Sequence, residues 1–557
     1  MSGFLRTRLA ESTQAFGDVF RNPNLRRLEL AWVGSATGEW AAIVALSVFA
    51  FRSGGAAAVG LVVLIRMLPA AAAAPFSALL ADRFSRTRVM VAADLTRAFA
   101  VAGAAVAVFA DAPAGVIYAL AGVVAVVSTS FRPAQAALVP SLARTPQELT
   151  AANVVSSTIE SVAFFAGPAL GGLLLAATSV GVVFAAQAAA FLWSALLVHR
   201  ISLGPVVTPE VAMERRGIIR ELGAGFEAVA RDSRLRLLIG LFGAQTLVGG
   251  ALNVLVVATA LELLDVGEAG LGFLTSADGL GGLLGAAGAL LLVGRRRLAA
   301  IFGAGILLWS VPLALIGIWP EYAVAFAMLV LVGLANTVVD VAGLTLLQRG
   351  VDNSVLARVF GVLETLVLGA VALGGVLAAL LISLVGIRGA LIAAGAFLPA
   401  IALLTWRQLA AIDAVAEVPA DRVALLRSGP IFAPLPPATV EHLALSLEPV
   451  TVTAGTHVIR QGEPGDRFYL VAEGELAVSM GGRQTATLGQ GDYFGEIALL
   501  RDVPRTATVT AKTDALVYGL GREEFIAAVA GHAESADAAD AVIARRLSKL
   551  RPEVASL

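Results

Sequence analysis

The chain of 557 residues contains no cysteine, so disulfides and thiolate metal sites are excluded. Histidine is scarce: His199, His442, His457 and His532 stand far apart, without the spacing of a metal-binding set. Charge is thin as well, with charged side chains at 15% of residues against roughly 25% in soluble globular domains. No G-x-x-x-x-G-K-[ST] phosphate loop is present, which argues against ATP-driven transport. No nucleophile set or metal cluster suggests an enzyme. The formal net charge of -1 says little about partners and gives no reason to expect nucleic acid. The N-terminus lacks a cleavable signal pattern. Residues 1–29 read as a basic amphipathic cytoplasmic segment, able to lie along a membrane surface.

What the chain has in excess is apolar length. Hydrophobic residues make up 58% of it, and the mean hydropathy is +0.84. Runs of about 20 apolar residues, each enough to cross a bilayer core, recur through residues 30–408. They suggest twelve spans, near 30–51, 57–80, 88–110, 114–139, 151–176, 180–199, 236–260, 269–293, 298–319, 322–347, 357–385 and 388–407. Arginine placement orients them. One set of loops carries Arg83, Arg86, Arg88, Arg144, Arg215, Arg216, Arg295, Arg296, Arg297 and Arg349. The opposite set holds little beyond Arg52 and Arg388. Positive loops stay cytoplasmic, so both termini and the 201–235 loop are expected there, in a multi-pass plasma-membrane protein.

That loop divides the spans into halves at 30–200 and 236–408. The halves echo each other: "ESVAFFAGPALGGLLLA" from Glu160 and "ETLVLGAVALGGVLAAL" from Glu364 both set a glutamate before "ALGG". Small residues there let helices approach closely. Parallel six-span repeats around a midplane site are a transporter plan.

Ionisable residues inside the membrane are expensive and are functional candidates by default. Glu39 lies near the midplane, and Arg66 sits at comparable depth, where it could neutralise it. Glu160, Asp278 and Glu364 are similarly deep. Asp94 and Arg97 share a helix face three residues apart, which favours a fixed structural pair. Arg132 and Asp340 lie toward the cytoplasmic side. A buried carboxylate suits proton carriage. Glu39, Glu160, Asp278 and Glu364 are therefore the carrier candidates in a proton-coupled exporter with an amphipathic substrate.

"ALLADRFSRTRVMV" (78–91) resembles the G-x-L-A-D-R-x-G-R-R/K signature of the major facilitator superfamily. Asp82, Arg83 and Arg86 fit it, and both glycines are replaced. In that family the loop is a charge lock between inward and outward opening. "GPALGG" (167–172) is similar to a fifth-helix motif of drug–proton antiporters. "RPAQAALVP" and "LARVFGVLE" resemble bacterial exporters of siderophores and macrolides. The resemblance implies a polytopic α-helical membrane protein with a 6+6 fold and an efflux role in a bacterial inner membrane.

After Trp406 the character changes. Residues 409–430 read as a charged, partly helical linker, and 431–557 as an α+β domain of short antiparallel strands with flanking helices. Within it lies "FGEIALLRDVPRTATV" (494–509). A helical turn starting there would offer free N–H groups to an anion. Arg505 adds a planar fork suited to phosphate, and Glu496 is an acceptor suited to a sugar hydroxyl. Phosphate donors beside one hydroxyl acceptor describe a nucleotide whose ribose and phosphate are close together.

This stretch is similar to the phosphate-binding cassette of cyclic-nucleotide-binding domains, whose strands form an antiparallel β-roll. The resemblance implies that Arg505 pairs with the cyclic phosphate, Glu496 holds the ribose 2′-hydroxyl, and the backbone around Phe494, Gly495, Ile497, Ala498 and Leu499 completes the cradle. Thr506 and Ala507 follow, where threonine occurs in binders of either nucleotide. The ligand implied is cAMP, with cGMP the alternative, as a regulator rather than a cofactor. A lid hinged at Phe525, with Arg545, Arg546 or Leu547 near the base, is implied too. Two readings follow: a transporter gated by the nucleotide, or a membrane-anchored receptor that no longer transports and signals through a partner or oligomer.

Overall fold

In the computed structural model the described residues are 17, 19–201, 226–227, 229–289, 297–350, 353–415, 420–435, 437–530 and 533–549. They form two compact units, Met1–Asp413 and Ala414–Leu557. The side chains of Asp82, Arg83, Arg349, Arg545 and Leu547, most of the 201–235 loop and residues 290–296 lie outside the described set.

The first unit is helical: α1 (Pro23–Arg83), α2 (Arg86–Phe109), α3 (Ala114–Leu142), α4 (Pro146–Ala177) and α5 (Val180–His199) make its first half. The second half comprises α6 (Ser233–Ala258), a π-helical turn (Thr259–Leu263), α7 (Gly267–Ala289), α8 (Leu298–Ile318), α9 (Tyr322–Gly350) and α10 (Asn353–Val415). Among the described residues nine helices are long and apolar enough to cross a membrane. Two of these are double-length rods broken at glycine. In α1, Gly55 has φ 62 and ψ -155, and in α10, Gly386 has φ 72 and ψ 174. That backbone region is open essentially to glycine alone, which is why the breaks fall there. The helix starts follow local chemistry. Thr145 accepts the Glu148 N–H at 3.1 Å with Pro146 in the first turn, and Asp232 accepts the Arg234 N–H at 2.7 Å to start α6.

The paired "ALGG" stretches do the same job in each half. A Cβ on Gly171 would strike Ala41 of its own half, and one on Gly172 would lie 2.8 Å from the Cα of Gly272 in the other. In α10, a Cβ on Gly374 would lie 2.9 Å from Ala251 N of its own half, and one on Gly375 3.0 Å from Val63 Cβ in the other. The first glycine of each pair lets a helix press on its own half. The second lets it press across the divide.

The second unit begins with α11 (Ala420–Ser428), which falls within the stretch read as linker, yet its Leu426 is fully buried in the core of this unit. There Leu426 joins Ile431, Phe432, Phe468 and Phe525. Arg422 of α11 donates to the Leu447 carbonyl at 2.8 Å, at the end of α12 (Pro437–Ser446). Eight strands follow: β1 (Glu448–Val452), β2 (His457–Ile459), β3 (Arg467–Glu473), β4 (Leu476–Met480), β5 (Arg483–Leu488), β6 (Tyr493–Phe494), β7 (Thr508–Ala511) and β8 (Ala515–Gly521). They form two four-stranded sheets, ordered β1-β8-β3-β6 and β2-β7-β4-β5, with every pairing antiparallel. Gly481 and Gly482, at φ 56 and φ 82, make the tight β4–β5 turn, where two successive positive φ values match the strand twist. A one-turn helix α13 (Glu496–Arg501) sits between β6 and β7, and α14 (Arg522–Ala530) and α15 (Ala533–Lys549) close the chain.

Candidate functional site

The membrane-embedded charges sort into three arrangements. In the first, Asp94 and Arg97 of α2 are both fully buried and ion-paired. Ser194 donates to the other Asp94 oxygen at 2.7 Å, and the Arg97 guanidinium lies 4.3 Å from the Phe191 ring centroid and 4.5 Å from that of Phe131. Carboxylate, hydroxyl and two aromatic faces enclose this cation, a closed structural element.

The second arrangement gives one carrier candidate a partner. Glu160 is doubly bonded by Arg132: Nη1 meets Oε1, and Nη2 donates to Oε2 at 2.8 Å. The arginine lies 5.2 Å from the Trp32 ring centroid. This pair joins residues 28 positions apart on two successive helices, so no local spacing announced it. Conversely, Glu39 and Arg66, which could neutralise each other, line one apolar-walled cavity with Gln187 and Phe184, and no ion pair between them is found among the described residues. Glu364 is exposed rather than enclosed.

Neutral partners define the third. Gln245 Nε2 donates to Asn336 Oδ1 at 3.0 Å, and Asn336 Nδ2 donates to Asp340 Oδ2 at 2.9 Å. Glu29, fully buried, accepts from the Ser156 hydroxyl on both oxygens at 2.7 and 2.9 Å. Sequence reading missed Gln245, Asn336 and Glu29; for Glu29 the only available signal was an acid inside the first turns of a long apolar helix. Arg86 donates to the Ala137 carbonyl at 2.7 Å and to Ser141 Oγ at 3.0 Å, tying the start of α2 to the end of α3.

In the second unit, the stretch 494–509 folds around a cavity of about 830 Å³, open mouth included. Gly495, at φ 92, turns the chain out of β6 and caps α13. This brings Glu496, Ala498, Arg505 and Thr506 to one cavity, against apolar walls from Ile459, Val478 and Leu488. Arg505 is buried and fixed from three sides. Its Nη1 donates to the Gly495 carbonyl at 3.2 Å, and its Nη2 to the Arg467 carbonyl at 2.8 Å and to Asp466 Oδ1 at 3.1 Å. Its backbone is pinned as well, through Arg505 N to the Glu463 carbonyl at 2.8 Å. Asp466, at the end of the "GEPGD" turn (462–466), is a residue of this site that the sequence analysis did not single out.

Glu496 is 1% exposed and accepts from Arg546 Nη1 of α15 at 2.8 Å. Burial pushes its carboxyl above the usual carboxylate range, with the Arg546 charge pulling the other way. Arg546 in turn lies 4.6 Å from the Tyr493 ring centroid. Of the three base-of-lid residues expected, Arg546 is the one described at the cavity, while Phe525 is fully buried in the core. The cavity thus joins a rigid cation, a buried carboxylate and an apolar wall.

A model of the Major Facilitator Superfamily matches residues 30–369, more than half of the chain. The chain belongs to that superfamily. This superfamily member is extended at its C-terminus by a cyclic nucleotide-binding domain, matched over residues 449–532. A cAMP-dependent protein kinase regulatory subunit from Yarrowia lipolytica is 50% identical over 102 residues, 18% of this chain and 27% of the relative. The corresponding subunit from Emericella nidulans is 41% identical over 104 residues, 18% and 25%. The chain therefore spans about a quarter of the length of these relatives. Among solved structures, the regulatory domain of Toxoplasma gondii PKA with cAMP is 35% identical, over 19% of this chain and 43% of that one, at a TM-score of 0.19.

Proposed function

We propose that this superfamily member is a secondary active transporter, a proton-coupled exporter of an amphipathic small molecule, regulated by cAMP at its C-terminal domain. The observation that carries the regulatory half is the meeting of Arg505 and Glu496 in one cavity. A cation held at three points is preorganised for a phosphate, and a carboxylate at the same wall accepts a sugar hydroxyl. Roles follow: Arg505 takes the cyclic phosphate, Glu496 the ribose 2′-hydroxyl, Phe494 to Leu499 supply the cradle, and Thr506 and Ala507 flank the base. cAMP is preferred because the matched relatives are named for dependence on it; cGMP is the competing ligand in the test.

The transport half follows from family membership and from the tight glycine contacts that run both within and across the two halves. We read twelve spans, with α1 and α10 each contributing two on either side of its glycine break, and both termini in the cytoplasm of a bacterial inner membrane. The lock loop at Asp82, Arg83 and Arg86 biases opening to one side.

Two measurements on the full chain test the reading. Calorimetry in detergent compares cAMP and cGMP with wild type and Arg505→Ala. Substrate flux from vesicles is then followed with and without nucleotide on the domain side. Linkage of about 1–3 kcal/mol would change flux roughly 5- to 150-fold. Binding without any flux in either condition would favour the membrane-anchored receptor instead.

A further inference from the structure

The two halves of the membrane unit differ in a way that decides among the embedded acids. The first half gives its acids partners: Asp94 with Arg97, Glu160 with Arg132, Glu39 in one cavity with Arg66, and Glu29 with the Ser156 hydroxyl on both oxygens. The second half has no lysine, arginine or histidine at all in 237–294, 298–348 or 359–387, yet it carries Asp278, Asp340 and Glu364. An isolated charge at such depth is costly, so each of these acids needs a donor, water or a proton. Asp340 has the Asn336 amide, and Glu364 lies on an exposed helix face rather than at a contact between helices. Asp278 accepts no hydrogen bond from any described residue. It is pressed instead against α9, where a Cβ on Gly333 would lie 2.9 Å from Asp278 Oδ1.

We infer that Asp278 is the residue that takes up and gives off the coupling proton, at the contact of α7 with Gly333 of α9, and that the acids of the first half are not. The inference rests on the transport reading. Its position fits the task. The next residue, Gly279, marks where α7 meets the first half, since a Cβ there would lie 2.7 Å from Phe165 Cα and 2.9 Å from the Phe164 carbonyl of α4. When the halves are closed at this seam, Asp278 is half-buried and holds the proton. When they part, water reaches it; the Oδ–H bond breaks to water on one side and forms again from water on the other, with no electrons exchanged.

The neighbouring charges leave it uncompensated. On α9, Asp340 lies two turns beyond Gly333, about 10 Å along the axis. On α4, Glu160 is held by Arg132; on α1, Glu39 shares its cavity with Arg66. On α6, Arg234 and Arg236 stand at the distant start of the helix, and on α7 itself Glu268 pairs with Arg52.

The test is infrared difference titration of the full chain in lipid nanodiscs, following the carboxylic-acid C=O stretch as pH is varied. The expected result is a titrating band in wild type that disappears in Asp278→Asn. It should remain in the Glu29→Gln/Glu39→Gln/Glu160→Gln triple variant, in Asp340→Asn and in Glu364→Gln. A band that survives Asp278→Asn, or that is lost in any of these other variants, overturns the assignment. If Asp278→Asn does not fold, Asp278→Glu serves: the band must move in position, and an unmoved band overturns the assignment equally. No substrate or nucleotide enters this measurement, so a failed flux assay leaves its outcome readable.

Discussion

Arg505 Nη1 donates to the Gly495 carbonyl at 3.2 Å, and a Cβ placed on Gly495 would stand 2.7 Å from that same nitrogen. The glycine also lies at φ 92, a left-handed backbone that costs other residues about 1–2 kcal/mol. Cradle and cation are therefore one unit. Gly495→Ala should displace the guanidinium as well as strain the turn. We expect cAMP affinity to fall at least roughly tenfold, the equivalent of about 1.4 kcal/mol. Calorimetry on the full chain reads this directly; unchanged affinity would mean that Arg505 is not what the ligand engages.

Arginine at 505 is required by geometry, not only by charge. Its fork reaches the Gly495 and Arg467 carbonyls and Asp466 at once, and an ammonium cannot copy that planar spread. Arg505→Lys should weaken cAMP binding while the domain stays folded. Arg505→Ala should do more, since buried carbonyls lose a charged donor worth about 1.5–3 kcal/mol each. The predicted order is wild type, then lysine, then alanine, in both affinity and the melting temperature of the domain.

Cyclic-nucleotide affinity should depend on pH through Glu496. Burial holds its carboxyl above the normal range, and only the ionised form is a pure acceptor for a ribose hydroxyl. Ligand binding therefore favours the deprotonated state, and affinity should fall as pH drops through the raised value. For folding the sign is opposite. The folded state binds the extra proton, so this group's contribution to stability is greatest at low pH and is lost as pH rises through the raised value. Glu496→Gln should bind more weakly with a flatter pH profile. Arg546→Ala removes the opposing charge, so the midpoint of the affinity profile should move to higher pH. A profile that stays put in Arg546→Ala would separate Arg546 from Glu496.

What could be read from the sequence was what is local. The cassette is contiguous, so Glu496 and Arg505 were legible from 494–509 alone. Asp94 and Arg97 were legible as a pair because three residues on a helix make neighbours. Contacts made by packing were not. Arg132 reaches Glu160 only because α3 and α4 lie side by side, and Asp466 reaches Arg505 only because β3 is laid against β6. Gln245 and Asn336 looked like polar residues scattered on apolar helices until the fold joined them to Asp340. The helix at 420–428 looked like linker because its charged residues hide Leu426, the one side chain there that is wholly buried. The repeat was visible as letters, but the separate job of each glycine in "ALGG" needed the neighbours.

The two arginine pairs of the first half should respond very differently to the same cut. Asp94 and Arg97 are wholly enclosed, with side-chain exposures of 0% and 1%, whereas Glu160 and Arg132 stand at 40% and 55%. Breaking a buried pair leaves an uncompensated charge, at a cost of about 3–5 kcal/mol. An open pair is worth about 0–1 kcal/mol. Arg97→Ala should therefore destabilise the purified protein severely, the more so because the Phe131 and Phe191 rings lose the cation between them. Arg132→Ala should change its melting temperature little. In a double-mutant cycle Asp94→Asn should recover part of the Arg97→Ala loss, because the stranded carboxylate is what costs most. Equal losses from Arg97→Ala and Arg132→Ala would mean that the Arg132–Glu160 pair is as shielded as its neighbour, and would recast it as structural.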